Sequence, residues 1–231
     1  MREETLWLYD NIGFDGWTTG KVRASLNHFK RDSAPETLNI RIASQGGDVI
    51  EMNGIIAAIK EFKAETGVYV RTIIDVIAAS AAADISLAVS DEILTQEMAP
   101  ILVHKSWGMV VGGSDDFRRV ADEMDAIDKQ GIDLIVAKTG MSPEDALEIT
   151  KQDRLIYPPE AIQLKMVDGL YQFGGVDIER LEAYKAKLEQ EEADKGVTKM
   201  VKKQIDGVLD AHYTEQRVLK AKELYKKLGG A

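Results

Sequence analysis

VYVRTIIDVIAASAAADISLAVS, residues 68–90, joins a strongly apolar run to a run of small residues. VYVRTIIDV (68–76) has the β-branched content and length of a buried strand. AASAAADISLAVS (78–90) reads as a buried helix built from small side chains. A strand running straight into a helix is part of a βαβ unit, and the flanking sequence supplies the rest. TLWLYDNI (5–12) alternates as a strand does, and WTTGKVRASLNHFKR then places Trp17, Val22, Leu26 and Phe29 close to helical spacing. TLNIRIAS (37–44) is a second strand. VIEMNGIIAAIKEFKAE (49–65) is an amphipathic helix with Ile50, Met52, Ile55, Ile56, Ile59 and Phe62 on or near one face. EILTQE and APILVHKS are two further short strands. This alternation predicts an α/β fold with a largely parallel sheet. Ligand sites in such sheets collect in loops at the carboxyl ends of strands. The QGGD turn (45–48) and the turn at Ser80 both hold that kind of position.

Downstream, SDDFRRVADEMDAIDKQGIDLIVAKTG (114–140) is a long helix with Phe117, Val120, Met124, Ile127 and Leu134 on one stripe. That stripe suits packing on a second copy of the chain or on its own domain. Ser142 caps the next helix, with Pro143 at its first position and acids in its first turn. DRLIYPPEAIQLKMVDGLYQ closes the body with an irregular stretch, a short helix and a last strand. After the GG pair at 174–175 the character changes to charge-dense helical segments with sparse apolar positions. The expected organisation is a body over 1–173 and a helical extension over 174–231.

The chain has 231 residues, 45% of them hydrophobic, and no cysteine. Thiol nucleophiles, disulfides and cysteine–zinc sites are thereby excluded. No run approaches the roughly 20 apolar residues that span a bilayer, and MREETLWLYD lacks the apolar region of a secretory signal. A cytoplasmic setting is expected. The net charge is −10. Residues 1–176 carry 17 Lys/Arg and 28 Asp/Glu, whereas 177–231 carry 12 and 11. So acidic a body is a poor surface for a phosphate backbone, which argues against nucleic-acid binding.

Ser80 alone in its alanine run reads equally as a packing residue or as a nucleophile, and a nucleophile needs a base. The chain offers His28, His104 and His212. His28 lies in an early helix and His212 in the extension, while His104 ends the strand APILVH. A carboxylate must then hold the imidazole. Asp153 sits suitably in the irregular stretch QDRLIYPPEA, although neighbouring Arg154 offers it an ordinary ion pair. QGGD supplies backbone without Cβ obstruction, as an oxyanion site or a plain tight turn requires.

Taken together, IASQGGDVIEMNG (42–54), AASAAAD (78–84), ILVHKSWG (101–108) and TKQDRLIYPPEAIQLKMVDGL (150–170) resemble the Clp protease proteolytic-subunit family. The order Ser–His–Asp and the intervals between the three are close to that family's. The resemblance covers roughly residues 5–172. It implies a spiral of ββα units with a long handle helix at about 114–138, of the kind also seen in crotonases. It implies Ser80 as nucleophile, His104 as general base and Asp153 as the residue orienting the imidazole. The N–H groups of Gly47 and Ala81 would bind the oxyanion, with no cofactor or metal. Peptide hydrolysis through an acyl-enzyme, in a homo-oligomer of stacked rings acting on polypeptides, is the implied activity.

The departures are specific. Gln45 stands where the family has Pro, Ala81-Ala82 where it has Met-Gly, and Val76 where it has Gly. Few residues precede the first strand, so the segment forming axial pore loops is expected to be missing, which weighs against docking to an ATPase unfoldase. The AASAAA wording and the helical extension are more similar to the head maturation proteases of tailed phages and prophages, which trim scaffold or capsid proteins. Two other classes share the fold: crotonase-type acyl-CoA enzymes, and a catalytically idle structural ring.

Overall fold

The computed structural model describes residues 2–13, 15–171, 178–190 and 201–210. The chain divides into two compact units, Met1–Gly174 and Gly175–Ala231.

The first unit is a mixed α/β body around a six-stranded, wholly parallel sheet. Its elements run β1 (Glu3–Tyr9), α1 (Thr19–Asp32), β2 (Thr37–Ser44), α2 (Val49–Thr66), β3 (Tyr69–Ala79), α3 (Ala81–Val89), β4 (Glu92–Thr95), β5 (Ile101–Leu102), α4 (Ser114–Thr139), α5 (Pro143–Gln152), α6 (Pro158–Gln163) and β6 (Gly169–Leu170). The order across the sheet is β1-β2-β3-β4-β6, with β5 also paired to β3. All eight residues of β2 are buried, as expected of a strand flanked on both edges and covered on both faces. One of its faces carries Arg41, whose guanidinium pairs with the fully buried Asp75 of β3. Tyr9 of β1 donates its hydroxyl to the same carboxylate at 2.6 Å. A buried charge persists only where it is paired and hydrogen-bonded in this way.

The helices start and stop where local chemistry directs. Asp48 caps α2 by accepting the Glu51 N–H at 2.8 Å, and Gly67 ends the helix in the left-handed region at φ 69°. Ser142 caps α5 by accepting the Asp145 N–H at 3.1 Å, with Pro143 at the first position. α4 has 26 residues, about 39 Å of helix. Its second half is buried against the body at Ile135 and Thr139. Phe117 in the first half stays exposed. Ile50, grouped with the buried face of α2 from its spacing, is instead exposed, because it lies in the first turn beyond the edge of the core.

β4 and β5 are shorter than the runs EILTQE and APILVHKS suggested, and two further boundary differences build the loops at the carboxyl ends of the strands. β1 stops at Tyr9, short of Ile12, because Ile12 leaves the ladder to clasp the QGGD turn. Its N–H donates to Gly46 O at 2.8 Å, and its carbonyl accepts the Asp48 N–H at 2.9 Å. β3 continues through Ala78 and Ala79, expected to be helical, since β5 pairs with them in the register Ala78↔Ile101 and Ala79↔Leu102. Tertiary pairing here overrides the helix propensity of alanine.

In the second unit, α7 (Ile178–Gln190) and a helix over 201–210 are described. Leu181, Tyr184 and Leu188 form a buried stripe on the first, as do Val201, Ile205 and Leu209 on the second. Lys185 Nζ meets Asp206 Oδ1 at 2.5 Å. No described helix is long and apolar enough to cross a membrane.

Candidate active site

Ser80 occupies the single residue between β3 and α3, with φ 54° and ψ −127°. A non-glycine residue in such a conformation costs on the order of 1–3 kcal/mol and persists only where its surroundings impose it. The imposing contacts are visible. The Ser80 N–H donates to Leu102 O at 2.9 Å, tying the turn to β5, and the Ser80 carbonyl accepts the Asp84 N–H at 3.0 Å, opening α3. A sharp strand-to-helix turn of this kind lifts a hydroxyl out of the sheet and sets it at a helix N-terminus.

The glycine turn lies directly against Ser80. Gly46 has φ 90°, and a Cβ there would sit 2.5 Å from Ala79 O, 2.8 Å from Ser80 Cβ and 2.9 Å from Ala81 N. Gly47 has φ 145°, and a Cβ there would meet Ile12 O at 2.1 Å. Both positions therefore require glycine for space as well as for conformation. Gly47 is exposed and Ala81 is at the first position of α3. Among the described residues, the N–H of neither has a protein acceptor.

His104 lies two residues beyond β5, and its side chain is only 9% exposed. Its Nδ1 is 3.1 Å from Asp153 Oδ1. Asp153 ends α5 in the left-handed region at φ 43°, a conformation that Asp tolerates better than most residues. Its side chain is 63% exposed yet reaches the imidazole from the rim. Arg154 does not compete for it: its guanidinium turns to Glu160, with Nη1 2.8 Å from Oε2. With Nδ1 facing the carboxylate, Nε2 is the nitrogen left for proton transfer.

Ser80 and His104 line one cavity of about 40 Å³, together with Ala81 and Asp84. No hydrogen bond joins the Ser80 hydroxyl to the imidazole among the described residues. Such bonds are often long before substrate binds. Of the other histidines, His28 sits on the exposed face of α1, paired with Asp32 at 2.8 Å, and His212 lies outside the described residues.

A sequence profile of the Clp protease family matches residues 1–173. The chain belongs to the Clp protease family. Its body is thus a Clp-protease-like fold, and its chemistry is that of a peptidase. No curated protein matches the chain. Within this Clp protease framework the cavity holds two carboxylates that the reading of the sequence passed over. Asp128 of α4 accepts the Ser106 N–H at 2.6 Å and pairs with Lys105 Nζ at 3.0 Å. Asp84 of α3 lies one helical turn beyond Ser80, and burial pushes its carboxyl up to about 7. The available signal was a lone acid in an otherwise alanine-rich buried helix.

Proposed function

We propose that the chain is a serine endopeptidase in which Ser80, His104 and Asp153 act as a triad. The observation that carries this reading is the 3.1 Å contact between His104 Nδ1 and Asp153 Oδ1, made beside a strained turn that presents Ser80 to the same cavity. Ser80 Oγ attacks the scissile carbonyl carbon while His104 Nε2 takes its proton. The oxyanion formed lies against the N–H groups of Gly47 and Ala81. Collapse expels the amine, which receives the proton from His104, and leaves an acyl-enzyme. Water, deprotonated by His104, then releases the acid and restores Ser80. Asp153 holds the imidazole tautomer and stabilises the imidazolium.

The working form in this reading is a homo-oligomeric ring with the cavity facing inward. Support comes from apolar surface near the free half of α4, where Met109, Val111 and Phe117 are exposed. Patches of this kind mark association surfaces. The substrates in this reading are scaffold or capsid polypeptides of a tailed phage or prophage, cleaved without an ATPase unfoldase. The wording AASAAA and the charged helical extension support that subgroup.

Labelling of the assembled protein with a fluorophosphonate tests the assignment. Ser80 is expected to take one label per chain, and Ser80→Ala to lose both label and peptide hydrolysis while keeping its assembly mass. Hydrolysis undiminished in Ser80→Ala refutes it.

A further inference from the structure

Asp84 is the group in the cavity for which the triad has no use. The cavity has a volume of about 40 Å³, room for roughly three waters. Met52 of α2, Val103, and Ile127 and Ile135 of α4 supply the apolar part of its wall, beside the polar groups of Ser80, His104, Ser106 and Thr150. Asp84 faces it from α3 and lies against α4, where a Cβ on Gly131 would come within 3.8 Å of Oδ2. Its carboxyl makes no hydrogen bond or ion pair among the described residues, and its oxygens keep contact with the slot rather than being sealed in protein. The other charged groups at the slot are engaged elsewhere: Lys105 with Asp128, and His104 with Asp153. A largely buried acid with no cation of its own is costly when ionised, and the upward displacement of its proton affinity to about 7 reflects that.

We propose that this slot is the subsite for the residue on the acyl side of the scissile bond, and that Asp84 selects lysine or arginine there. The proposal rests on Ser80 being the nucleophile. An unbranched stem can lie along Met52, Val103, Ile127 and Ile135 while it carries its charge to the carboxylate. There the cation meets the carboxylate, and the ion pair forms with both groups shielded from water. A carboxylate at the base of this subsite is how trypsin-type sites choose basic residues. Acidic side chains are rejected by charge.

Matched substrates test it on the assembled full-length protein. Peptides carrying lysine or norleucine, and arginine or citrulline, at the selected position differ in charge with little change of size. The charged member of each pair is expected to have a kcat/KM at least about 100-fold higher. That ratio should fall toward one in Asp84→Asn and rise with pH through about 7 in the native chain. Using the ratio cancels effects shared by both substrates, including titration of His104. A second readout needs no turnover: n-butylguanidinium binding by calorimetry, expected to weaken at least about tenfold in Asp84→Asn. A wild-type ratio near one, or one unchanged in Asp84→Asn, overturns the subsite while Ser80 labelling keeps the peptidase standing. Loss of Ser80 labelling with n-butylguanidinium binding still dependent on Asp84 overturns the nucleophile and leaves a cation slot without its proposed role. Equal n-butylguanidinium binding by both proteins overturns the slot itself.

Discussion

Replacing Asp84 by asparagine removes one ionisable carboxyl from the space between α3 and α4 with little change of volume. The folded carboxyl takes up its proton near pH 7, against 3.8 for the same group in water, because burial penalises its charged form. A difference of about three pH units, at ~1.4 kcal/mol each, amounts to about 4 kcal/mol. The sign follows from which state holds the proton. Below about pH 4 both folded and unfolded chains carry a protonated Asp84, and the group costs nothing. Between about 4 and 7 the unfolded chain releases the proton and the folded chain keeps it, so stability is lost as pH rises. Above about 7 both are ionised, and the cost stays at its full value. Asp84→Asn has no proton to release. Its stability relative to wild type should therefore rise by about 1.4 kcal/mol per pH unit across that window, then level off. Urea unfolding of both proteins from about pH 4 to about 8.5, at one fixed protein concentration, measures the difference. His104, Lys105 and Asp128 are common to both proteins, so their own titrations largely cancel. A difference that is flat across the window would refute the claim that Asp84 is buried without a partner.

The remaining predictions concern the turn and the triad. Gly46→Ala forces a Cβ to within 2.5 Å of the Ala79 carbonyl oxygen at a φ of 90°. It should destabilise the body by a few kcal/mol and slow fluorophosphonate labelling of Ser80 more than 100-fold. Native labelling and stability in that variant would show that the turn does not brace Ser80. Asp153→Asn keeps the shape beside His104 while favouring the wrong imidazole tautomer. A loss of about 10³–10⁴ in kcat is expected with assembly intact. A loss under tenfold would remove Asp153 from the triad.

Most of the fold was legible in local pattern. TLNIRIAS is a strand over the same residues that its composition suggested, and Asp48, Ser142 and Gly140 bound their helices as capping residues do. Ser80, His104 and the QGGD turn could be picked out because strand ends and glycine pairs have recognisable sequence signatures. Asp153 was one carboxylate among 39 acids. Its place in an irregular stretch made it a candidate, and resemblance singled it out, since that stretch suits a helix-ending Asp equally well.

What the amino-acid order determined by itself is the run of strands and helices, since periodicity, β-branching and capping act over a few residues. Only the tertiary structure decided that Ala78 and Ala79 extend a strand, because β5 reaches them from 22 or more positions away and supplies their hydrogen-bond partners. It alone brought Asp153 to within 3.1 Å of a histidine 49 residues earlier, and turned Arg154 aside to Glu160. It alone left Asp84 facing a cavity whose lysine, Lys105, is paired with Asp128 instead. Burial and distance depend on which elements lie side by side, and that is a property of the packed chain rather than of any segment within it.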